Sequence, residues 1–508
     1  MKQQKFLTKS RYVNGLQCSK WIWLAFNRPE ELPEVDGATQ QRFDEGHKVG
    51  ELAKRLFPDG IEVKEQLNHQ ENEKETRELL KKRKPLFEAG FIHKDGKCYA
   101  RADILVPVKK DRWDIYEVKS ATSVKEDYLE DVSFQKYCYE SAGLKLGNCF
   151  ILHINNQYVK SGEIFPKEFF VQANITEKVQ ELMSEVPIKI KRLFEITNLK
   201  KCPEIEIGNS CCLGTKEYEK KKFDKIHEND RFWKEHPECD IFDLYRGGKK
   251  ALEFFNSGIL EIGKLEGQKL NDKQQIQFKT HKNREDYYDK IELSNFIKNL
   301  KYPLYFLDFE SYNTAIPLYD GLKPYQQVPF QFSLHIIEKK GAKAKHHSFI
   351  AKGSDDPRPE FLKVLKKELR TKGNIIVYNQ SFEQTVLKKL AEYYPLCQKW
   401  VDSVVERMID LLTPFRNFAY YHPKQKGSAS IKYVLPVLTG ATYEDFEIAN
   451  GSEASLSYLF ITHGNYDGAA ATPEEIKKIR ADLEKYCGQD TEGMIWILKK
   501  LKKLINNK

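Results

Sequence analysis

Long uninterrupted apolar segments are absent from this sequence of 508 residues. A membrane-spanning helix needs about 18 or more consecutive apolar residues, and no stretch approaches that length. The opening residues, MKQQKFLTKSRYVNGLQCSK, also lack the apolar core of a secretory signal peptide. We therefore expect no membrane span and a cytoplasmic location.

A strong excess of one charge is missing as well. The 83 basic and 74 acidic residues leave a formal charge of +9, which favours a polyanionic partner without requiring one. Internal repeats and low-complexity tracts are not found, which excludes a repeat architecture. Because 508 residues exceed what one core usually organises, we expect at least two packed domains.

The first third of the chain alternates helical and strand patterns. The segment from Gly90 to Thr122 has turn signals at KDGK and KKD, which predict a three-stranded meander. A helix over 124–142 and a buried strand over 148–158 should follow. Further helices are expected near 40–56, 73–82 and 177–194.

The remaining two thirds change character twice. Residues from about 200 to 300 are lysine-rich and interrupted by Cys, Pro and Gly, which predicts a connecting region with short helices. Strands then return in YPLYFLDFESY, VPFQFSLHIIEKK and HHSFIAK, followed by a helix over 359–369 and the strand NIIVYN. Helices dominate the rest of the chain. This order of elements predicts a second α/β domain.

Three residues of the meander have the chemistry of a metal-dependent hydrolase. Asp103 ends one predicted strand, and Glu117 and Lys119 lie on the next, so that a hairpin brings Asp103 beside Glu117. Glu117 and Lys119 share a strand face because side chains alternate. The two carboxylates can hold Mg²⁺ or Mn²⁺, and the lysine can reach the bound water or a phosphate. The alternative is a solvated strand face.

The run RADILV…DIYEVKSAT, followed by a helix with Gln135 and Tyr139, resembles the RecB-like branch of the PD-(D/E)XK nucleases. The resemblance implies a restriction-endonuclease-like domain in which Asp103 and Glu117 bind the metal and Lys119 assists the water. Gln135 and Tyr139 would line the nucleic-acid channel. The proline of the nominal motif is replaced by Ala102.

An upstream helix carries one more residue that this resemblance assigns. The segment FDEGHKVGELAKRLFP resembles the helix with a metal-ligating histidine in the same family, which makes His47 a candidate ligand. The alternative for His47 is an ordinary surface histidine.

The ten cysteines are scattered in a chain that we expect to be cytoplasmic, so we expect metal binding or plain burial for them rather than a disulfide framework. The stretch LQCSKWIWL resembles the start of RecB-like nucleases that carry an iron–sulfur cluster. Later cysteines offer thiolates for a cluster or a zinc site, but Phe232 precedes Trp233 where that family has Cys-Trp. We predict that an intact iron–sulfur cluster is absent. The candidate ligands are Cys18, Cys202, Cys211, Cys212 and Cys239, and we interpret Cys98, Cys138, Cys149, Cys397 and Cys487 as ordinary core or surface residues.

A second set of acidic residues lies in the last 200 or so residues. The strand LYFLDFESY places Asp308 and Glu310 on one face, Glu383 begins a helix after a strand, and the final helix carries Asp490. Four such carboxylates can hold two divalent ions roughly 4 Å apart. The alternative is charged residues on unrelated helices.

These motifs resemble the DEDD exonucleases, in the variant with a tyrosine in the last motif. The resemblance implies a ribonuclease H-like domain in which Asp308, Glu310, Glu383 and Asp490 bind metal and Tyr486 orients the attacking water. Asn379 would contact nucleic acid, and Asp410 would be structural. The second motif departs from the family because it ends in Glu383 where an aspartate is usual.

The chain thus resembles a bacterial family known mainly as a domain of unknown function. We expect an α/β protein with a RecB-like domain over 1–180, a helical Cys-bearing region over 181–299, and an exonuclease-type domain over 300–508. The predicted activity is a metal-dependent nuclease, with DNA favoured over RNA, acting in repair or defence. The alternative is a catalytically degenerate nucleic-acid-binding or adaptor protein.

The broken cysteine spacing leads to the first testable prediction. Protein purified without oxygen should contain no stoichiometric iron or acid-labile sulfide, because the thiolates needed to hold a cluster do not follow the family spacing. Iron and sulfide analysis measures this directly. A brown preparation with about four irons per chain, lost on Cys18→Ala, would contradict the prediction.

Overall fold

The computed structural model of the chain describes residues 5–35, 37–64, 68–109, 111–203, 234–236, 238–464 and 469–506. These residues form two compact units. The first contains the described residues up to His236 together with Thr314–Tyr325, and the second contains Glu238–Asn313 and the described residues from Gln326 onward. Both units combine helices with sheets, so the α/β class is confirmed. Within the described ranges, no helix is both long and apolar enough to cross a membrane.

A mixed sheet forms the centre of the first unit. Its strands are β1 (Leu7–Thr8), β2 (Ile61–Glu62), β3 (Leu86–Ile92), β4 (Cys98–Pro107), β5 (Arg112–Lys119), β6 (Lys145–Ile154) and β7 (Phe170–Asn174). The strand order is β2-β3-β4-β5-β6-β7, and β1 pairs with β4. β3, β4 and β5 are antiparallel neighbours, so the predicted meander is confirmed.

Helices cover both faces of this sheet. They are α1 (Lys9–Gln17), α2 (Ser19–Asn27), α3 (Gly37–Lys54), α4 (His69–Leu80), α5 (Glu126–Ser141), α6 (Pro166–Phe169), α7 (Thr176–Leu182) and α8 (Val186–Thr197). Phe134 of α5 packs in one buried cluster with Ile115 of β5, and Val49 of α3 packs in another with Tyr116. Neighbouring residues of β5 therefore face opposite layers, as strand alternation requires.

The second unit contains a five-stranded sheet in the order β11-β10-β9-β12-β13, together with a small β8-β14 pair. β10 is antiparallel to β9 and β11, whereas β12 is parallel to β9 and β13. The strands are β8 (Tyr287–Tyr288), β9 (Leu304–Tyr312), β10 (Val328–Ile337), β11 (Lys345–Ile350), β12 (Asn374–Val377), β13 (Met408–Asp410) and β14 (Tyr420–Tyr421).

Alternation along β9 separates an apolar face from an acidic one. Tyr305, Leu307 and Phe309 pack into a core with three helices, and Asp308 lies on the opposite face near the last helix of the chain. The helices are α9 (Gly248–Asn256), α10 (Asp272–Asn283), α11 (Lys290–Lys298), α12 (Arg358–Glu368), α13 (Gln380–Tyr393), α14 (Gln398–Glu406), α15 (Thr413–Arg416), α16 (Ile431–Thr439), α17 (Gly451–His463) and α18 (Pro473–Asn506).

The connecting region differs from the expectation. Residues 181–299 do not stand apart: the described part up to residue 236 belongs to the first unit, and the part from Glu238 belongs to the second. The single helix expected over 177–194 is divided into α7 and α8. Pro187 lies in the first turn of α8, where the amide hydrogen that proline lacks has no helical partner to lose. In the interior of a single helix over 177–194, the same proline would break a backbone hydrogen bond.

Tyr139 of α5 hydrogen-bonds to two neighbouring strands of the first sheet. Its hydroxyl donates to the Ala89 carbonyl of β3 and accepts from the Ala102 amide of β4 at 2.7 Å. All three residues are fully buried. Removal of the hydroxyl therefore leaves two backbone groups without a partner in the interior.

We expect Tyr139→Phe to lower the free energy of unfolding by about 1–3 kcal/mol, the usual cost of unpaired buried polar groups. Urea denaturation followed by tryptophan fluorescence and circular dichroism measures the change. Tyr137→Phe on the same helix is the matched control and should change stability far less. Equal stability of wild type and Tyr139→Phe would contradict this role.

Candidate functional site

The first acidic group lies where β4 and β5 separate. The ladder between the two strands pairs Ile104 with Tyr116, and its continuation places Asp103 opposite Glu117. Asp103 does not continue the ladder through its backbone. Its carboxylate instead accepts a hydrogen bond from the Val118 amide at 2.7 Å. This contact fixes the Asp103 side chain beside β5.

Glu117 is the centre of the group and is only 1% exposed. Its Oε1 accepts from the Lys119 ammonium at 2.7 Å, and its Oε2 accepts from the Gln135 amide at 2.7 Å. Asp131 completes this side, because it accepts from Lys119 at 2.6 Å and from Gln135 at 3.2 Å. The structure therefore brings Asp103, Glu117 and Lys119 together, as the sequence predicted. Asp131 was missed, although its spacing of four residues from Gln135 places both on one helix face.

Lys9 is the second residue that sequence reasoning missed. Its ammonium donates to Glu117 Oε1 at 2.6 Å and lies 3.6 Å from Asp103 Oδ1. Burial alone would lower the pKa of Lys9, but the charges of Asp103, Asp131 and Glu117 outweigh burial and raise it well above its usual value. The side chain is therefore an ammonium ion held among carboxylates. Nothing in the local sequence around Lys9 indicates this contact.

The carboxylates of this group differ in their acidity. Burial would raise the pKa of Glu117, but Lys119 and Lys9 outweigh it and lower that pKa far below the usual range. Burial and the Glu117 charge raise the pKa of Asp103 instead. Glu117 is thus the permanent anion of the group. Carboxylate oxygens are the ligands that Mg²⁺ and Mn²⁺ prefer, so Asp103 and Glu117 fit a divalent cation.

Three other expected residues occupy different places. Gln135 and Tyr139 are fully buried, where they hold Glu117 and the β3–β4 pair rather than lining an open channel. Both side chains point from α5 into the sheet. Their spacing of four residues predicts that they share a helix face, but it does not predict whether that face points inward or outward. His47 is exposed on α3, with Nδ1 2.8 Å from the Phe43 carbonyl oxygen. Its role as a metal ligand stays a prediction.

The second acidic group lies on β9 beneath α18. Ligand atoms of Asp308, Glu310 and Cys487 all lie within 4.8 Å of one another. Cys487 Sγ is 3.4 Å from Asp308 Oδ2, so the residue interpreted from the sequence as ordinary is part of this group. Its position three residues before Asp490 on one helix was the available signal.

Asp490 and two tyrosines form the α18 side of the group. The Tyr443 hydroxyl donates to Asp490 Oδ1 at 2.5 Å, and Tyr486 also hydrogen-bonds this carboxylate. The Lys432 ammonium lies 5.9 Å from the ring centres of both tyrosines and donates to the Ala449 carbonyl at 2.6 Å. Tyr443 and Lys432 were not predicted. No sequence motif links either residue to the final helix.

Glu383 reaches the same region from the first turn of α13. The side chain is 1% exposed, and its Oε2 has no hydrogen-bond partner. Burial and the Asp308 charge raise the pKa of Glu383 well above its usual value. An unpaired buried carboxylate oxygen is costly unless a proton or a cation satisfies it.

Asn379 precedes this helix and has a positive φ of 78°, which asparagine tolerates better than most residues. Its backbone amide donates to Asp410 Oδ1 at 3.0 Å, and the same oxygen also accepts from the Leu412 backbone amide at 3.0 Å. Asp410 therefore has the structural role that the sequence suggested. Asn379 is exposed, so contact with nucleic acid stays a prediction for it.

The second group is short of positive charge. Burial raises the pKa of Asp490 to about 6, although Tyr443 and Lys432 oppose the shift. Burial and the neighbouring carboxylates raise the pKa of Asp308 and Glu310 well above their usual values. Each of these carboxylates needs a proton or a cation in the interior, and a divalent cation fits the donor set.

Of the five cysteines named as candidate cluster ligands, Cys18, Cys202 and Cys239 lie within the described residues. Cys18 is buried between α1 and α2, and its Sγ accepts from the Trp21 amide at 3.3 Å. Cys202 belongs to the first unit and Cys239 to the second. Cys211 and Cys212, with Phe232 and Trp233, lie outside the described residues. The absence of an intact iron–sulfur cluster therefore stays a prediction, to be tested by iron and sulfide analysis.

Comparisons with known proteins show similarity over part of the chain but assign no chemistry. Residues 305–430 match a family model described as a domain of unknown function, DUF2779. Uncharacterized protein UU173 of Ureaplasma parvum serovar 3 is 28% identical over 246 residues, which are 45% of this chain and 35% of the relative. The MG366 homolog of Mycoplasma pneumoniae, also named uncharacterized, is 26% identical over 229 residues, which are 41% and 34% of the two chains. The matches thus span about a third of each relative.

The matched segment contains Asp308, Glu310 and Glu383 and ends before Tyr486 and Asp490. The acidic strand and the helix of Glu383 therefore belong to the part that is similar to the family. The α18 side of the group lies beyond it.

The raised pKa of Asp490 leads to a pH prediction. An unfolded aspartate has a pKa of about 3.9, so the folded chain retains a proton that the unfolded chain loses between about pH 4 and pH 6. The contribution of this carboxyl to the free energy of unfolding is fully present below about pH 4, and it is lost as the pH rises through the folded pKa of about 6. Without metal, ionised Asp490 should cost about 2–3 kcal/mol at pH 7.

Calorimetric melting of the full chain in EDTA, from about pH 5 to about pH 7.5, measures this loss. Asp490→Asn should reduce the loss, and Mg²⁺ or Mn²⁺ should reverse it in the wild type but not in the variant. Asp482→Asn on the same helix is the control. A pH dependence that is the same in all three proteins would contradict the prediction.

Proposed function

We propose that the protein is a metal-dependent nuclease with two separate carboxylate sites that hydrolyse phosphodiester bonds, with DNA favoured over RNA. The observation that carries the proposal is the second acidic group. Glu310, Glu383 and Asp490 are buried and Asp308 is half-buried beside them, without an equal number of cations among the described residues. Such an arrangement costs folding energy, which is reasonable where a metal ion is bound for function.

The architecture of each unit supports the domain types that the motifs imply. In the first unit, Asp103 and Glu117 lie on neighbouring antiparallel strands followed by α5 and the parallel strand β6, an order compatible with a restriction-endonuclease-like domain. In the second, a central β9 is flanked by antiparallel β10 and parallel β12. That order is compatible with a ribonuclease H-like domain.

The first site contains groups for binding a cation and for orienting a water or contacting a phosphate. Asp103 and Glu117 would hold the cation, while Lys119 lies 2.7 Å from Glu117 and can orient a water or contact the phosphate. A bound divalent cation would polarise the phosphate and lower the pKa of a coordinated water. From the same helix, Gln135 donates to Glu117 and Asp131 accepts from Lys119, which keeps both side chains in place.

The second site contains the donor set for cation binding and a phenol for orienting water. Asp308, Glu310 and Asp490 provide the carboxylates, and Tyr486 hydrogen-bonds Asp490 from one turn earlier on α18. A phenol in that position can align a water for attack on phosphorus. Glu383 approaches from α13, with an unpaired oxygen that would accept from a metal-bound water.

A nucleic-acid-binding protein without catalysis is the second candidate. Two observations favour it: Lys9 and Lys119 already neutralise Glu117, and a glutamate stands at position 383 where the resembled exonucleases have aspartate. Both candidates predict binding to nucleic acid, and only the nuclease predicts cleavage with Mg²⁺ or Mn²⁺.

Isosteric removal of one carboxylate from each site tests the proposal. With Mg²⁺ or Mn²⁺, the wild type should degrade labelled single- or double-stranded DNA. Glu117→Gln and Asp308→Asn should each remove one component of the activity by about a hundredfold or more, as loss of a catalytic metal ligand implies. Product lengths on gels distinguish endonucleolytic from terminal cleavage.

Glu126→Gln on α5 and Glu474→Gln on α18 are matched controls, because both side chains are exposed. They should leave cleavage unchanged. DNA binding without metal-dependent cleavage in the wild type would favour the binding protein and refute the nuclease.

A further inference from the structure

Two lysines contact one oxygen of Glu117 in the first unit. Lys9 Nζ is 2.6 Å and Lys119 Nζ is 2.7 Å from Glu117 Oε1. Lys119 is also held by Asp131 at 2.6 Å, whereas Lys9 is the ammonium that faces Asp103, at 3.6 Å. The two cations therefore have different positions: one lies between Glu117 and α5, and the other lies between the two carboxylates that would bind metal.

The position of Lys9 is incompatible with a metal ion on both carboxylates. A divalent cation such as Mg²⁺ binds carboxylate oxygens at about 2.1 Å and needs the space between Asp103 and Glu117. An ammonium at hydrogen-bonding distance from Glu117 occupies that space and would repel the incoming charge. Metal binding thus requires the Lys9 side chain to move.

The backbone of Lys9 is firmly placed, so that only its side chain is able to move. Thr8 caps α1 by accepting from the Arg11 amide at 3.4 Å, and Thr8 also pairs with Tyr99 through β1 and β4. One turn later, the Tyr12 ring stacks on Phe134 of α5 with ring centres 4.6 Å apart. Lysine has a flexible four-carbon stem, so its ammonium can swing several ångströms about a fixed backbone.

A cleft beside the carboxylates provides a place for the displaced ammonium. It has a volume of about 310 Å³ and is lined by Lys9, Ser10, His69, Arg101 and Asp103 among others. Lys9 and Arg101 supply the cations of the cleft, and Thr8, Ser10 and Tyr99 supply hydroxyl groups. Arg101 is paired with Glu88 at 2.8 Å. Lysine and arginine beside a hydroxyl group are the usual ligands of a nucleic-acid phosphate.

We propose that Lys9 occupies the divalent-cation position of the metal-free first site and, once displaced, binds a backbone phosphate of nucleic acid in the adjoining cleft. This inference rests on the proposed nuclease function. Metal and substrate binding are then coupled through one side chain. The ion releases Lys9 from Glu117, and the phosphate gives the ammonium a new anionic partner.

Metal binding is the first test, performed on the full chain with Asp308→Asn to weaken the second site. Lys9→Met removes the competing charge and retains much of the side-chain volume. Titration calorimetry should show Mn²⁺ bound at least about tenfold more tightly by Lys9→Met than by its parent. The metal-free variant should also melt at a lower temperature, and Mn²⁺ should raise its melting temperature by more than that of the parent.

DNA binding is the second test, with Ca²⁺ in place of Mn²⁺ to limit cleavage. Fluorescence anisotropy of a labelled DNA 20-mer at several salt concentrations should show weaker binding by Lys9→Met. The slope of log K against log salt should fall by about one, as expected for one lost phosphate contact. Lys9→Arg should restore the slope, and Lys94→Met, at an exposed turn, should change neither measurement.

The outcomes separate this inference from the proposed function. Equal or weaker Mn²⁺ binding by Lys9→Met, or an unchanged salt slope, would overturn the role of Lys9 even if the chain proves to be a nuclease. Mn²⁺ binding by Lys9→Met alone would support competition. Absence of Mn²⁺ binding in both parent and variant would overturn the inference together with the first metal site.

Discussion

Buried negative charge is the constraint on which both acidic groups depend. A carboxylate removed from water needs a cation, a proton or several hydrogen bonds, and the two units meet this need differently. In the first unit, Lys9, Lys119 and Gln135 surround Glu117 and keep it ionised. In the second, tyrosines and a thiol supply hydrogen bonds, but the pKa of Asp308 stays well above its usual value. Glu117 is thus paired with ammonium ions, whereas the carboxylates of the second group have fewer such partners.

The surrounding fold follows from this constraint. In the first unit, α5 has to present Asp131 and Gln135 to the sheet, and the Tyr139 hydroxyl then satisfies two backbone groups where β3 and β4 pass beneath the helix. In the second, α18 brings Cys487 and Asp490 onto the acidic face of β9, while the other face of β9 packs in an apolar core. Each acidic group thus combines strand residues of one sheet with residues of the helices packed on that sheet.

The sequence was sufficient for the parts that depend on local periodicity. Alternation along β4, β5 and β9 predicted the strands and the shared face of Glu117 and Lys119, since neighbouring side chains on a strand must point to opposite sides. It was insufficient where a contact joins distant segments. Lys9 reaches Glu117 across 108 residues through the two-residue strand β1, which has no recognisable pattern. Helical spacing also left the direction of Gln135 undetermined, and only packing shows that its amide points inward.

The different charge balance of the two groups has a consequence for metal binding on the proposed function. A cation entering the second site meets carboxylates that are partly protonated, so binding releases protons and strengthens as the pH rises through about 6, the pKa of Asp490. A cation entering the first site meets Glu117 already ionised, and it has to displace the Lys9 ammonium from that carboxylate. Affinity at the first site should therefore depend on whether Lys9 has another anion to bind. Nucleic acid would supply such an anion, so on this proposal the first site would gain its metal most readily with substrate present, whereas the second would not need it.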